Sequence, residues 1–354
     1  METSLLIFIP FIFAFLLSFL LTPISIAFAK RFDLIDDPQK NKHVKVIHTK
    51  PTPRAGALGI STALILSSLL FLPLDSHMKA ILLGVIVLTV LGVLDDKYNL
   101  HPYIRLVVMS IAALLPIVSG IGIAYITNPF GGIIDLSHPQ ISFFLFGEMR
   151  TIWVISDFFA FVWIVSLMNF VNLGAKGVPG QLSGVVGIAA IIVALLSLQF
   201  SADIAEWPVI ILASILSGAY IGFLPWHIFP QRIMPGFGGS TVAGYVLAIL
   251  AILTTTKVGT LLVVMGVPLI DTTYIVIRRI IEGKSPVWGD KSHLHHKLMQ
   301  LGLTQEQTAF MYWGATALLG AIALNIHAAD KLYTILGVTI GLGGFFLWFK
   351  TRSK

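Results

Sequence analysis

The run Leu5-Leu-Ile-Phe-Ile-Pro-Phe-Ile-Phe-Ala-Phe-Leu-Leu-Ser-Phe-Leu-Leu-Thr-Pro-Ile-Ser-Ile-Ala-Phe-Ala29 contains no charged residue. A helix needs about 20 apolar residues to cross a hydrocarbon core about 30 Å thick. The run meets that length and is followed at once by Lys30 and Arg31. Only Met-Glu-Thr-Ser precedes it, with no basic n-region, and it is longer than a signal-peptide core. It therefore reads as a retained first span and not as a cleavable signal.

Apolar runs recur at 55–74, 79–94, 103–125, 152–171, 183–200, 207–225, 241–255, 257–278, 308–326 and 332–349. Across 354 residues, 56% are hydrophobic and only 11% charged. A soluble domain carries about 25% charged residues, so this chain could not cover its apolar surface in water. In a bilayer that surface faces lipid, and helices satisfy their own backbone groups. The expected fold is all-α, a polytopic transmembrane helix bundle of about 10–11 spans. A single integral membrane domain covers 1–354. The absence of cysteine excludes a disulfide framework and a thiolate metal site. No internal repeat is evident, which argues against an inverted-repeat transporter, and Asp271 at mid-span is the one residue that could support such a reading.

The net charge of +6 reports orientation and not a nucleic-acid partner. With the N-terminus outside, the inside segments are 28–54, 95–105, 172–182, 226–240, 278–307 and 350–354. They hold all of the 23 Lys and Arg except Lys79, Arg150, Lys257 and Lys331. That is the positive-inside bias, and it places the C-terminus in the cytoplasm of a plasma-membrane protein. The longest outside loop, 126–151, combines Pro129, Gly131 and Gly132 with alternating apolar residues, which predicts a small hairpin.

The unusual polar residues gather at cytoplasmic span ends. Asp95 and Asp96 close the third span beside Lys97. Adjacent carboxylates near a low-dielectric region call for a cation, a proton or hydrogen bonds. Mg²⁺ suits them because it takes oxygen ligands and binds substrate phosphates; the other reading is a solvated helix end. Asn169 and Asn172 are three residues apart and are expected to share a helix face. They run into Lys176-Gly177-Val178-Pro179-Gly180, either a phosphate-meeting loop or an ordinary turn. Gly236-Phe237-Gly238-Gly239-Ser240 before an apolar run resembles a phosphate-cradling helix start, a weak signal by itself. The loop from Arg278-Arg279 through Lys284 and Lys291 to His293-Leu294-His295-His296 has an anion-binding composition. A transition-metal site or a lipid-headgroup patch are its alternatives. The first inside loop adds Asp36-Asp37-Pro38, His43, His48 and a Pro51-Thr52-Pro53-Arg54-x-Gly56 turn.

Together these motifs resemble the polyprenyl-phosphate N-acetylhexosamine-1-phosphate transferases, on the side of the bacterial UDP-N-acetylglucosamine enzymes. The resemblance runs from about residue 30 to about 305. It rests on Pro51-Thr52-Pro53-Arg54-x-Gly56, Asp95-Asp96, Asn169-x-x-Asn172, Gly222-Phe223-Leu224-Pro225-Trp226, Pro268-Leu269-Ile270-Asp271-Thr272, Arg278-Arg279, Gly283-Lys284-Ser285-Pro286 and His293-Leu294-His295-His296. It implies transfer of a sugar-1-phosphate from a UDP-N-acetylhexosamine to a polyprenyl phosphate such as undecaprenyl phosphate, with release of UMP. The implied cofactor is Mg²⁺, with Mn²⁺ as alternative, and the implied assembly is a possible homodimer. Asp95 would activate the lipid phosphate. Asp96 would organise the metal, and Asn172 would lie near it, giving Asp95, Asp96 and Asn172 as the ligand set. Asn169, Asn172, Lys176, Arg278, Arg279, His293, His295 and His296 would bind substrate.

Three positions depart from the family pattern. Asp-Gly-x-Asp-Gly is replaced by Lys176-Gly177-Val178-Pro179-Gly180, with one residue inserted ahead of it. Gly-Asp-Ser-Gly-Ser is replaced by Gly236-Phe237-Gly238-Gly239-Ser240, and Phe cannot coordinate Mg²⁺. Asn99 stands where a third acid is usual. Two readings follow: an active transferase holding its metal with more water and with Lys176 supplying charge, or a relative that binds polyprenyl phosphate or UDP-sugar without turnover.

Overall fold

A computed structural model describes residues 2–39, 50–128, 132–145, 148–199, 206–254, 257–285 and 292–352. His43, His48, Pro129, Gly131, Pro286 and Lys291 lie outside the described residues. Each apolar run of the sequence contains a helix, although the run 103–125 is helical only as far as Val118. In order they are α1 (Glu2–Arg31), α2 (Gly56–Phe71), α3 (Ser76–Tyr98), α4 (Pro102–Val118), α5 (Val154–Gly174), α6 (Gln181–Leu198), α7 (Trp207–His227), α8 (Gly236–Leu253), α9 (Lys257–Val264) with α10 (Gly266–Ile281), then, after a short α11 (Leu294–Gln300), α12 (Gln305–Asn325) and α13 (Ala328–Arg352). The protein is an all-α polytopic bundle.

Eight of these helices are long and apolar enough to cross a membrane, or nine if α9 and α10 count as one broken span. With the broken pair counted, the expected 10–11 spans are met if one or both of α2 and α4 also cross; at 16 and 17 residues they are shorter. The run 257–278 is a broken helix, bent by 88° between α9 and α10. Gly266 opens α10, and Pro268 has no N–H to offer the carbonyl four residues back, so the ladder cannot run through.

Helices α7 and α8 form the interior. α7 packs on α1 and α6, and α8 packs on α3 and α5. A Cβ at Gly218 or Gly222 of α7 would run into the Phe11 or Phe15 carbonyl of α1, so this glycine pair, four residues apart, lets two backbones touch. Outward residues such as Phe8, Ile12, Leu16, Leu20 and Ile24 of α1 are exposed and form a surface suited to lipid.

The predicted hairpin in 126–151 is present as two short antiparallel ribbons. β3 (Tyr125–Thr127) pairs with β4 (Ile133–Asp135), and β5 (Gln140–Leu145) with β6 (Glu148–Trp153). A third ribbon joins β1 (Ile35–Asp36) to β2 (Thr52–Pro53) and fixes Arg54 just before α2.

Candidate active site

The ends of α1, α3, α5 and α7 meet the starts of α2, α4, α6 and α8 at one face. They enclose a polar cavity of about 880 Å³. Local sequence explains why the carboxylates stop there. α3 starts on an Asp75 cap, whose Oδ1 accepts the Met78 N–H at 2.7 Å. It ends on Asn99 in the left-handed conformation (φ 48°), a residue that tolerates it. Asp95 and Asp96 thus fall in its last turn.

The two acids face different partners. The Asp96 side chain is 1% exposed. It lines the cavity, pairs with Arg54 at 3.2 Å and accepts the Phe237 N–H at 3.1 Å. Asp95 is buried and does not line the cavity. It pairs with Arg105 Nε at 2.6 Å and accepts the Leu100 N–H at 3.1 Å. Of the pair, Asp96 is the acid that can meet substrate, and Asp95 anchors Arg105, which lines the cavity. Gly236, at φ +70°, is required here twice over. The left-handed backbone favours glycine, and a Cβ would collide with Asp96 Oδ2.

Asn172 and Lys176 also line the cavity. Asn172 Oδ1 accepts from Ser240 Oγ at 2.6 Å and from Lys176 Nζ at 3.4 Å. The ammonium also donates to the Gly236 carbonyl at 3.0 Å. Its loop is locked by the buried Gln181. Gln181 Oε1 accepts the Gly177 and Val178 N–H groups, and its Nε2 donates to the Gly174 carbonyl.

His293, His295 and His296 also line the cavity and are buried. His293 Nδ1 lies 2.8 Å from Asp271 Oδ2, and the Leu294 N–H donates to Asp271 Oδ1 at 2.9 Å. The mid-span acid thus holds the start of α11. His295 packs on Gly177, where a Cβ would strike its ring.

Three expected binding residues are not brought in. Asn169 donates back to the Val165 carbonyl of its own helix at 2.8 Å and does not line the cavity. Arg278 Nη2 donates to Ser292 at 2.6 Å, and Arg279 Nε donates to the Ser285 carbonyl at 2.8 Å. Both arginines brace the loop before His293 and leave the cavity to others. The site gains Arg54, Arg105 and His227, with His227 Nδ1 2.8 Å from Ser183 Oγ. The Pro-Thr-Pro-Arg turn marked Arg54; no motif marked Arg105 or His227.

A second cavity of about 650 Å³ is apolar. It is lined by Trp163, Leu167 and Phe170 of α5, Leu269 and Tyr274 of α10 and Phe346 of α13, among others, with Arg278 and Glu282 also on its wall.

A sequence model described as glycosyl transferase family 4 matches residues 78–255, half of the chain. The chain belongs to glycosyl transferase family 4. This family 4 chain is 30% identical over 322 residues to the Bacillus subtilis (strain 168) protein named "Probable undecaprenyl-phosphate N-acetylglucosaminyl 1-phosphate transferase", covering 88% of this chain and 82% of the other. It is 25% identical to the Mycolicibacterium smegmatis decaprenyl-phosphate N-acetylglucosaminephosphotransferase, covering 88% and 80%. It is 27% identical to the Haemophilus influenzae undecaprenyl-phosphate alpha-N-acetylglucosaminyl 1-phosphate transferase, covering 97% and 91%.

The expected Mg²⁺ ligands of this family 4 member do not fit that ion. Asp95 and Asp96 are each paired to an arginine, and Asn172 Oδ1 accepts from Ser240 and Lys176. Phe237 supplies a backbone N–H where an oxygen would be needed, and its ring packs 5.2 Å from the Arg105 guanidinium. Among the described residues, no group of three or more His, Asp or Glu side chains is placed to hold a metal. Mg²⁺ demands octahedral oxygen ligands at about 2.0–2.1 Å, and an ammonium sharing those oxygens opposes it.

Proposed function

We propose that this protein transfers N-acetylglucosamine-1-phosphate from UDP-N-acetylglucosamine to a polyprenyl phosphate and releases UMP. One observation carries the reading. Arg54, Asp96, Asn172, Lys176 and the His293–His296 segment come from separate parts of the chain and line one cavity at the ends of apolar helices. The names of the three relatives supply the substrates.

In the reaction, an oxygen of the lipid phosphate forms a bond to the sugar-bearing phosphorus. The bridging P–O bond breaks, and its electron pair leaves on the phosphate of UMP. Such transfer asks the protein mainly for positioning and charge. Arg54, Arg105 and Lys176 supply fixed positive charge around the phosphates. Asp96 orients Arg54, and the Asp271-anchored histidines form the wall against which the nucleotide sugar lies. The apolar groove beside α5 takes the first part of the prenyl chain.

The positive-inside bias supports an outside N-terminus and a cytoplasmic cavity in the plasma membrane. The relatives support turnover over mere binding. The test is UMP release by purified protein given undecaprenyl phosphate and a panel of UDP-N-acetylhexosamines, with and without Mg²⁺. Release that requires the lipid and is greatest with UDP-N-acetylglucosamine is expected. Binding of donor without any UMP would favour the non-catalytic reading.

A further inference from the structure

We infer that the ε-ammonium of Lys176 is the built-in cation of this site and that the chain works without a bound divalent ion. The inference rests on the transferase reading for its chemistry but stands on the geometry of the site alone.

The first ground is position. Nζ sits between two oxygen acceptors, the Gly236 carbonyl at 3.0 Å and Asn172 Oδ1 at 3.4 Å. Its charge is felt at Asp95, Asp96 and His227. Oxygens of this kind, with carboxylates close by, are what a hard cation seeks. Here a protein cation occupies the position between Asn172 Oδ1 and the Gly236 carbonyl, in the cavity that Asp96 also lines.

The second ground is fixation. Lys176 projects from a turn whose following N–H groups are both held by buried Gln181. The next residue, Gly177, is wedged against His295. A charge held in place before substrate arrives costs no reorganisation during transfer.

The third ground is competition. Arg54 and the Phe237 N–H both already engage Asp96 Oδ1, so a divalent ion at Asp96 would have to share that oxygen or bind the second one beside a guanidinium. At Asp95, Oδ1 is held by Arg105 at 2.6 Å and by the Leu100 N–H, so an ion there would again sit against a guanidinium. It would also face the Lys176 ammonium at close range. Phe237, 4% exposed with its ring on Arg105, returns no ligand in exchange. The bond changes themselves need no metal-borne atom. One P–O bond forms, one breaks with its pair leaving on UMP, and protein cations offset the phosphate charge.

The experiment measures Mn²⁺ binding by electron paramagnetic resonance on the purified full-length protein in detergent, alongside UMP release in excess EDTA or Mg²⁺. Wild type is expected to bind no Mn²⁺ at micromolar concentration and to release UMP equally in EDTA and Mg²⁺. Lys176→Gln is expected to lose about 10²–10³-fold of the EDTA rate, the usual effect of removing one preorganised electrostatic group. Lys176→Arg is expected to recover part of it. The double variant Lys176→Asp with Phe237→Asp is expected to gain Mn²⁺ binding. Thermal unfolding checks that each variant is folded. Stoichiometric Mn²⁺ on wild type, or UMP release abolished by EDTA and restored by Mg²⁺, overturns the inference. If no preparation releases UMP, the transferase reading fails by itself. The wild-type Mn²⁺ spectrum still decides this inference: no bound ion upholds it, and a bound ion overturns it.

Discussion

The two cavities differ in how they are made. The polar one is assembled from helix ends and the loops between them, so its residues come from all along the chain. The apolar one lies along helix bodies, mainly α5, α10 and α13. α5 serves both, presenting Trp163, Leu167 and Phe170 to the groove and Asn172 to the polar cavity. In a protein that is apolar throughout, chemistry is written where helices stop. Affinity for a chain is written where they run on.

That contrast can be broken by mutation. The largest effect is expected at Asp96→Asn, which leaves Arg54 with Asp36 as its remaining carboxylate and weakens the hold on the start of α8. UMP release should fall about 10²–10³-fold, with lipid partition into the groove unchanged. Asp271→Asn removes a buried, charge-assisted hydrogen bond worth about 1.5–3 kcal/mol. It should raise KM for the UDP-sugar, roughly tenfold or more, while KM for the lipid stays put. Phe346→Ala in the groove should act the other way. It is expected to raise KM for polyprenyl phosphate several-fold in steady-state assays and to spare the nucleotide. The smallest effect is expected at Asn169→Ala, within about 0.5 kcal/mol on any readout, because that amide bonds only to its own helix. A large loss there would redraw the boundary of the polar cavity.

The bundle was legible because a bilayer leaves a direct trace in sequence, long uncharged runs separated by charge. Its broken helix was less so, since Pro268 inside an apolar run reads the same whether the helix bends or continues. The polar wall was legible at Asp96, Asn172, Lys176 and His293–His296, where polar residues at span ends stand out. Sequence spacing failed for Asn169. Three residues from Asn172 is a shared face, but one turn deeper in the helix its amide turns back on its own backbone. It failed also for Arg278 and Arg279, because a basic side chain beside a loop can brace that loop as readily as it binds an anion. Arg105 belongs to a pairing across the α3–α4 turn, which only the left-handed Asn99 brings together. The groove left no signal, since its residues are the same kinds that face lipid elsewhere.

The break in character along α5 has a consequence for what the protein can measure. Phe170 is in the groove and Asn172 in the polar cavity, a rise of about 3 Å along the helix. A lipid phosphate bound as proposed would therefore have its phosphate and the start of its chain separated within a single helical turn. If the groove takes the prenyl chain as proposed, a chain longer than the groove would trail into the bilayer, and turnover would depend on the headgroup more than on the number of prenyl units.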